Sequence, residues 1–327
     1  IKHFIYGGLI WYNKIMKTLK IGNVELKNNL ILAPIAGYSD VGFRFLAKKY
    51  GAALTFTEMI SAKALCYGNQ KTFELLATFE SESPVGVQLF GSCPEDFAKA
   101  VKMKELEKFD IIDINMGCPA PKIYQNGEGS ALLKDIKKAQ EIVKACKQNT
   151  TKPVTVKFRS GIDENCIIAT EFAKAMQQAG VDAITIHART KEQGYAGKAD
   201  LLVAKKVKEC VQIPVIVSGD CVDKETYEKI IKTTGADGVM IARGAFGNPE
   251  IFAEILGEKV TVNKLADIKT HFEVFEKYFP EKYVLLNMRS HLANYVKGQG
   301  AATDQKVRLM KAENKTEVFE ILHEIFK

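Results

Sequence analysis

The chain has 327 residues, 46% of them hydrophobic and 26% charged, a globular balance that excludes a disordered or coiled-coil protein. Forty-six lysines and arginines against 39 aspartates and glutamates leave a formal charge of +7, which permits a polyanionic partner without demanding one. At about 150 residues per domain, the length allows two domains or one barrel of ~250 residues with a small appendage. In chain order, the opening stretch 1–15, IKHFIYGGLIWYNKI, precedes Met16 and is expected to be an upstream or non-native segment. Its apolar part, residues 4–12, falls short of the roughly 20 residues that span a bilayer. Seven cysteines with no CxxC spacing argue against a disulfide framework or a zinc site. A reducing, cytoplasmic setting is therefore expected, with no bound metal and no membrane partner.

Short β-branched runs follow at 30–33, 54–57, 85–89, 111–115, 154–158, 183–187, 215–218 and 238–241, each the length of a strand buried on both faces. Helix-like stretches separate them, among them 95–108, 132–148, 166–179 and 223–233. Pro94 and Asp223 open two of these, and Gly180 and Gly235 stand just past helix ends. Eight strands alternating with helices predict a (β/α)8 TIM barrel over 16–257. An open doubly wound sheet is the runner-up, weakened because no GxGxxG follows the first strand. From 258 to 327 only helical periodicity remains, at 268–278, 283–296 and 315–326, which predicts a small all-helical C-terminal domain. Between Lys282 and Lys315 it carries seven basic residues against two acidic ones, a solvated face unless something else marks it as phosphate-facing.

In such a barrel, function collects at the carboxyl ends of the strands. Those ends read API, VQLFG, DINMGCP, VKFRSG, TIHART, SGD and ARG, a convergence of polar, cationic and glycine residues that packing does not require. Gly219 and Gly244, in the loops after the last two strands, let backbone N–H groups approach an anion, and Arg243 adds charge there. Lys157 is either a structural ion-pair partner or a cation that would offset charge on a reduced flavin. His187 alone is as consistent with a structural role. Gln88 and Asn115 carry amides that match the donor–acceptor edge of a flavin or a pyrimidine. Cys118, in the loop after the fourth strand, is the most distinctive single residue. A cysteine thiol with an ordinary pKa near ~8.5 is mostly protonated at neutrality and can act as a general acid.

In this order and spacing, AP-x-AG-x-SD, VQLFG, DINMGCP, VKFRSG, TIHART and IARGAFGNPEIF closely resemble the tRNA-dihydrouridine synthases, nearest the bacterial B-type subfamily. The resemblance runs from about Lys20 to the C-terminus. It implies an FMN-binding TIM barrel over 16–257, a helical tRNA-binding domain over 258–327, and reduction of uridine to 5,6-dihydrouridine. NADPH, or alternatively NADH, would be the reductant. It further implies that Pro34, Ile35, Ala36, Gln88, Lys157 and His187 surround the flavin ring, and that Ser218, Gly219, Asp220, Ala242 and Arg243 hold its tail. Asn115 would orient the uracil and Cys118 would be the catalytic proton donor. Lys122, Arg189, Arg289, His291, Tyr295 and Lys297 would meet the RNA. Ile35 stands where the family usually has methionine, Ser218 where asparagine is commoner, and Ser290 where a basic residue often sits. No protein partner is implied, so a monomer is expected. Two other readings remain open on the residues: a flavoenzyme for a free pyrimidine, such as a dihydroorotate dehydrogenase, and an RNA-binding or folding module in which chemistry is secondary.

Overall fold

A computed structural model describes residues 18–327; the opening stretch 1–15 lies outside the described residues. A hairpin of β1 (Leu19–Ile21) and β2 (Val24–Leu26) comes first, then the eight strands β3 (Leu30–Leu32), β4 (Thr55–Ser61), β5 (Val85–Phe90), β6 (Ile111–Met116), β7 (Val154–Arg159), β8 (Ala183–His187), β9 (Val215–Ser218) and β10 (Gly238–Ile241). These eight pair in parallel in the order β3-β10-β9-β8-β7-β6-β5-β4. The ring closes where Ile31 bridges Leu54, with Leu32 N–H donating to the Leu54 carbonyl at 2.9 Å. A (β/α)8 barrel results. Helices cover the outside of each strand and side chains fill the inside, so β6 and β8 are buried along their whole length. This is why those runs are continuously apolar rather than alternating.

Around the ring run α1 (Val41–Lys49), α2 (Ala62–Cys66), α3 (Gln70–Glu74), α4 (Pro94–Ala100), α5 (Pro121–Gln125), α6 (Ile136–Lys147), α7 (Ala169–Ala179), α8 (Leu201–Cys210), α9 (Lys224–Thr234) and α10 (Ile251–Leu256). Asp223 caps α9, and Gly180 and Gly235 end α7 and α9 at φ of 98° and 67°. Three helices are shorter than the sequence periodicity predicts, the one expected from 166 starting only at Ala169. The stretch expected to be helical from 132 starts only at Ile136, because Asp135 accepts from Lys138 N–H and fixes the helix start there. The stretch 95–108 leaves the helix after Ala100 and resumes as a 3-10 turn at Lys104–Leu106, which tucks Leu106 and Phe109 into the core before β6 begins. The hairpin is an addition to the expected elements. Its strands are too short to show alternation, and Leu19, Ile21 and Leu26 cover the amino end of the barrel against Phe56, Ile111 and Ala183.

Beyond the barrel lie α11 (Lys264–Glu276), α12 (Glu281–Tyr295), α13 (Thr303–Lys311) and α14 (Lys315–Ile325). Ile268, Phe272, Met288, Leu292, Leu309 and Ile321 form their core, which also takes in Val41 and Leu46 of α1. The helical part is thus docked on the first barrel helix. Among the described residues, no helix is long and apolar enough to cross a membrane.

A buried polar strut completes that docking. Asp40, the N-cap of α1, accepts on Oδ1 from the N–H groups of Gly42 (2.9 Å) and Phe43 (3.0 Å). His271 Nε2 of α11 lies 3.0 Å from the same oxygen, and His291 Nε2 of α12 lies 2.8 Å from Oδ2. A carboxylate only accepts, so His271 Nε2 carries the proton, and His271 Nδ1 is left to accept from the Tyr295 hydroxyl at 3.1 Å. Burial alone would raise the Asp40 carboxyl, but the two histidines outweigh it and hold the group well below the usual range. The three side chains are of metal-ligating types with ligand atoms within 4.8 Å of one another. Oδ1 already receives three N–H groups, so the Asp40–His271–Tyr295 part is a hydrogen-bonded strut, whereas the His291 ring meets Oδ2 as a close polar contact and neither of its nitrogens completes a hydrogen bond. This corrects two expectations. His291 and Tyr295, expected to meet RNA, are 0% and 1% exposed and face the barrel, because the buried carboxylate needs donors from the helical side.

Candidate active site

The carboxyl ends of the barrel strands open onto a cavity of about 890 Å³. Pro34, Ile35, Ala36, Gln88, Asn115, Cys118, Lys157, His187, Ser218, Gly219, Asp220, Ala242 and Arg243 all line it, although they come from seven different strand ends. The same face of every strand points inward and every strand ends at one rim, so local sequence position places them together.

Cys118 is held from both sides. Its N–H donates to Asn115 Oδ1 at 2.9 Å, and its carbonyl accepts from Ser130 N–H (3.0 Å) and Oγ (2.9 Å). Gly129 is required beside it: at φ 59°, a Cβ here would stand 2.8 Å from the Cys118 carbonyl oxygen. Arg159 ties this loop to the one after β8, donating from Nε to the Gly117 carbonyl (2.9 Å) and from Nη1 to those of Thr190 (2.9 Å) and Gly194 (2.8 Å). Tyr195, 59% exposed at the cavity mouth, has the Arg159 and Arg243 guanidinium groups 5.8 and 5.1 Å from its ring centre. Neither residue is marked as functional by the sequence. Arg159 stands within VKFRSG but inside the rim, and Tyr195 lies eight residues past the end of β8, where strand-end logic does not reach.

The floor is cationic. Burial, reinforced by Arg159, lowers the Lys157 ammonium to about 8 against the opposing pull of Asp113 and Cys118. Burial and then Lys157, Arg159, Arg189 and Arg243 push His187 down to about 2, so it stands neutral at physiological pH. Asp220 is raised by burial, but the Ala199 N–H, Arg189 and Arg243 together carry it below its ordinary value.

Arg189 corrects another expectation. It is 2% exposed, too deep to reach an RNA, and it holds the loop after β8 through the carbonyls of Ala196 (3.1 Å) and Gly197 (2.7 Å). Its Nη2 bonds Asp220 Oδ1 and Oδ2 at 2.7 and 2.9 Å. Nη1 is buried without a hydrogen-bond partner, next to Gly219 of the glycine-bearing loop. An orphaned guanidinium N–H beside Gly219 and Arg243 fits an anionic group such as a phosphate. At Gly244 a Cβ would overlap the Cys221 carbonyl, so glycine lets the loops after β9 and β10 pack together there. Of the other residues expected to meet RNA, Lys122 is exposed on α5 beside the Cys118 loop, Lys297 is exposed just past α12, and Arg289 is half-buried within it with Nε unpaired.

These groups make stability depend on pH. Burial, with His271, lowers His291 to about 4, and His187 stands lower still, whereas burial raises Asp113 to about 6. As pH falls below the ordinary histidine value of 6.5, the unfolded chain binds protons that the folded chain refuses at both histidines, so stability drops. Below about pH 6 Asp113 takes up a proton in the folded state and offsets one of the two. Calorimetry of the purified protein without added ligand from pH 8 to 5 is expected to show a midpoint that declines on acidification, with the slope growing toward pH 6 and holding near one proton below it. A flat profile would mean these side chains are not buried as described.

A family profile described as dihydrouridine synthase (Dus) matches residues 31–327. The chain is 37% identical over 290 residues to a probable tRNA-dihydrouridine synthase of Rickettsia conorii, covering 86% of this chain and 88% of that one. It is 38% identical over 299 residues to tRNA-dihydrouridine synthase B of Vibrio parahaemolyticus, covering 88% and 92%. It is 35% identical over 314 residues to the Pasteurella multocida protein of that name, covering 90% and 95%. Among solved structures, histamine dehydrogenase from Rhizobium sp. 4-9 superposes with a TM-score of 0.60 at 14% identity, over 80% of this chain and 51% of that one. Morphinone reductase in complex with tetrahydroNAD gives 0.52 at 13%, over 76% and 92%. At such identities these two likenesses concern the barrel alone.

Proposed function

The chain belongs to the dihydrouridine synthase family, and from that premise we propose that it reduces the C5=C6 bond of specific uridines in tRNA, using FMN with NADPH as reductant. The observation that carries the reading is one cavity that holds Cys118, two amides and a cationic floor, with an orphaned guanidinium N–H of Arg189 buried next to its Gly219 wall.

The residues present suit FMN. Arg189 Nη1, Gly219, Ser218, Ala242 and Arg243 would hold the phosphate tail, with Asp220 fixing Arg189. Pro34, Ile35 and Ala36 offer an apolar wall to a flat ring, Gln88 an amide, and Lys157 a cation. When bound, the reduced flavin supplies the hydride that uracil C6 accepts.

This chain's own residues do the rest. Hydride addition at C6 leaves a pair of electrons at C5, conjugated to the C4 carbonyl, and Cys118 Sγ–H donates the proton that completes the C5–H bond. The thiolate left behind is reprotonated from solvent. His187, neutral at physiological pH, adds no charge and can donate or accept at a ring nitrogen, while Lys157 offsets negative charge on the floor of the cavity. Asn115 lines the cavity where the uracil would lie. Tyr195, exposed at the mouth, is an aromatic ring beside which a base leaving its stack can rest. Lys122, Arg289 and Lys297 would meet tRNA phosphates, each contact adding to the salt sensitivity of binding.

The test is direct. Purified protein with FMN and NADPH, incubated separately with unmodified tRNA, uracil and orotate, is expected to form dihydrouridine in tRNA alone, read by nucleoside mass spectrometry. Turnover of orotate or uracil without tRNA product would replace this reading by a free-pyrimidine enzyme.

A further inference from the structure

Asp113 takes no part in the chemistry above, yet it is fully buried in β6 with both oxygens engaged. Thr155 Oγ1 donates to Oδ1 at 2.6 Å and Gln88 Nε2 donates to Oδ2 at 2.7 Å. Gln88 Oε1 in turn accepts from Asn115 Nδ2 at 2.8 Å. Asn115 Oδ1 accepts from the N–H groups of Gly117 (3.2 Å) and Cys118 (2.9 Å). A side-chain amide can be turned end for end, so no link of this chain fixes its own polarity. The two ends do. Backbone N–H groups only donate, so Asn115 must offer them oxygen and turn its nitrogen to Gln88. Gln88 must then turn its own nitrogen inward, and only an acceptor at position 113 satisfies it.

We propose that Asp113 is a positioning residue: through Gln88 and Asn115 it fixes the polarity of a hydrogen-bond chain that ends on the Cys118 backbone, and so sets how the Cys118 thiol is presented to the cavity. The purpose of that presentation rests on the functional reading above; the chain of contacts does not. The same relay determines which amide atoms Gln88 and Asn115 keep for the inside and which edges remain for a ligand. The neighbouring charged group from the adjacent strand is Lys157, whose ammonium and the Asp113 carboxylate favour each other's charged forms.

Two substitutions separate polarity from charge. Asp113→Asn keeps an acceptor for Gln88 and can donate to Thr155 Oγ1, so it preserves the polarity while removing the charge. Asp113→Leu is of similar size and leaves Gln88 Nε2 buried without an acceptor. The first readout is iodoacetamide alkylation of Cys118 in the flavin-free protein, followed by mass spectrometry, which needs neither cofactor nor RNA. The second is kcat and KM for tRNA in the loaded enzyme. For Asp113→Leu we expect alkylation to change by about fivefold or more as the loop loosens. Its kcat should fall about 10- to 100-fold at unchanged KM and circular dichroism, the scale of loss expected from a misplaced reacting group. Asp113→Asn should keep the alkylation rate within about twofold of the unsubstituted protein, and its kcat should fall less than that of Asp113→Leu, the remaining loss coming from the weakened charged form of Lys157. Equal losses in the two variants, or no change in the leucine variant, would overturn the proposal. If Asp113→Leu does not fold, Q88E is compared with the pair Q88E/D113N. The single change sets two carboxylates against each other; the pair restores an acceptor facing Asn115 with a donor behind it. Recovery of the Cys118 alkylation rate in the pair supports the relay, and a pair no better than Q88E refutes it. An intact alkylation pattern in a protein that makes no dihydrouridine would count against the functional reading alone.

Discussion

Cys118→Ala is expected to lower dihydrouridine formation by about 10²–10⁴-fold, the usual worth of a positioned general acid, while FMN content and tRNA binding stay near those of the unsubstituted enzyme. The separation follows from where the residue sits. Its backbone is held by Asn115 and Ser130, and both contacts survive removal of the sulfur. No other cysteine can take over. Cys221 also lines the cavity, but its thiol is buried, pushed up to about 12, and hydrogen-bonded with Thr226. Cys146 is likewise buried and raised to about 12, far from the opening. Cys221→Ala is therefore the control, expected to leave turnover nearly unchanged. Single-turnover product formation from photoreduced enzyme would isolate the step. If Cys118→Ala turned over at the rate of the unsubstituted protein, another group or solvent would be the proton source.

Asp40→Ala should produce the largest loss of stability, about 3–5 kcal/mol, the range seen when one partner of a buried charged network is removed. The alanine leaves the first N–H groups of α1 uncapped, strands the Nε2–H of the fully buried His271 and removes the carboxylate beside the equally buried His291. The damage would not stop at folding. Asp40 follows the cavity-lining segment 34–36, and Tyr38 in between stacks on Phe246 at 3.6 Å, accepts from Gly247 N–H at 3.1 Å and lies 4.0 Å from the His291 ring. The helical part thus braces both the loop after β3 and the loop after β10. Urea unfolding followed by fluorescence, with flavin retention measured in parallel, is expected to show both quantities falling together. An Asp40→Ala protein within 1 kcal/mol of the parent would mean the strut is not closed in solution.

The barrel and most of the candidate site are legible in the order of the residues. A parallel strand buried on both faces must be a short unbroken apolar run, and a residue at its carboxyl end must reach the rim; both properties are local, written in a handful of neighbouring residues. Cys118, Gln88, Asn115, Lys157 and the glycine-bearing loops can be placed on that ground, and all of them do line one cavity.

What the residues alone leave undecided is which polar side chains look inward. Arg189, His291 and Tyr295 have the chemistry of RNA contacts, and a basic or aromatic residue on a helix reads as surface until its partners are known. Their partners come from other elements: Asp220 is 31 residues from Arg189, His271 is 24 residues from Tyr295, and Asp40, which His291 meets, stands in the loop after the first barrel strand. Asp113 carries no local signal for the same reason, since Thr155 and Gln88 reach it from neighbouring strands 42 and 25 residues distant. Periodicity records how a segment meets water and core, which depends on residues a few positions apart. Whether a buried charge finds its counterpart depends on the closed barrel and the helices docked against it, and only the assembled chain determines that.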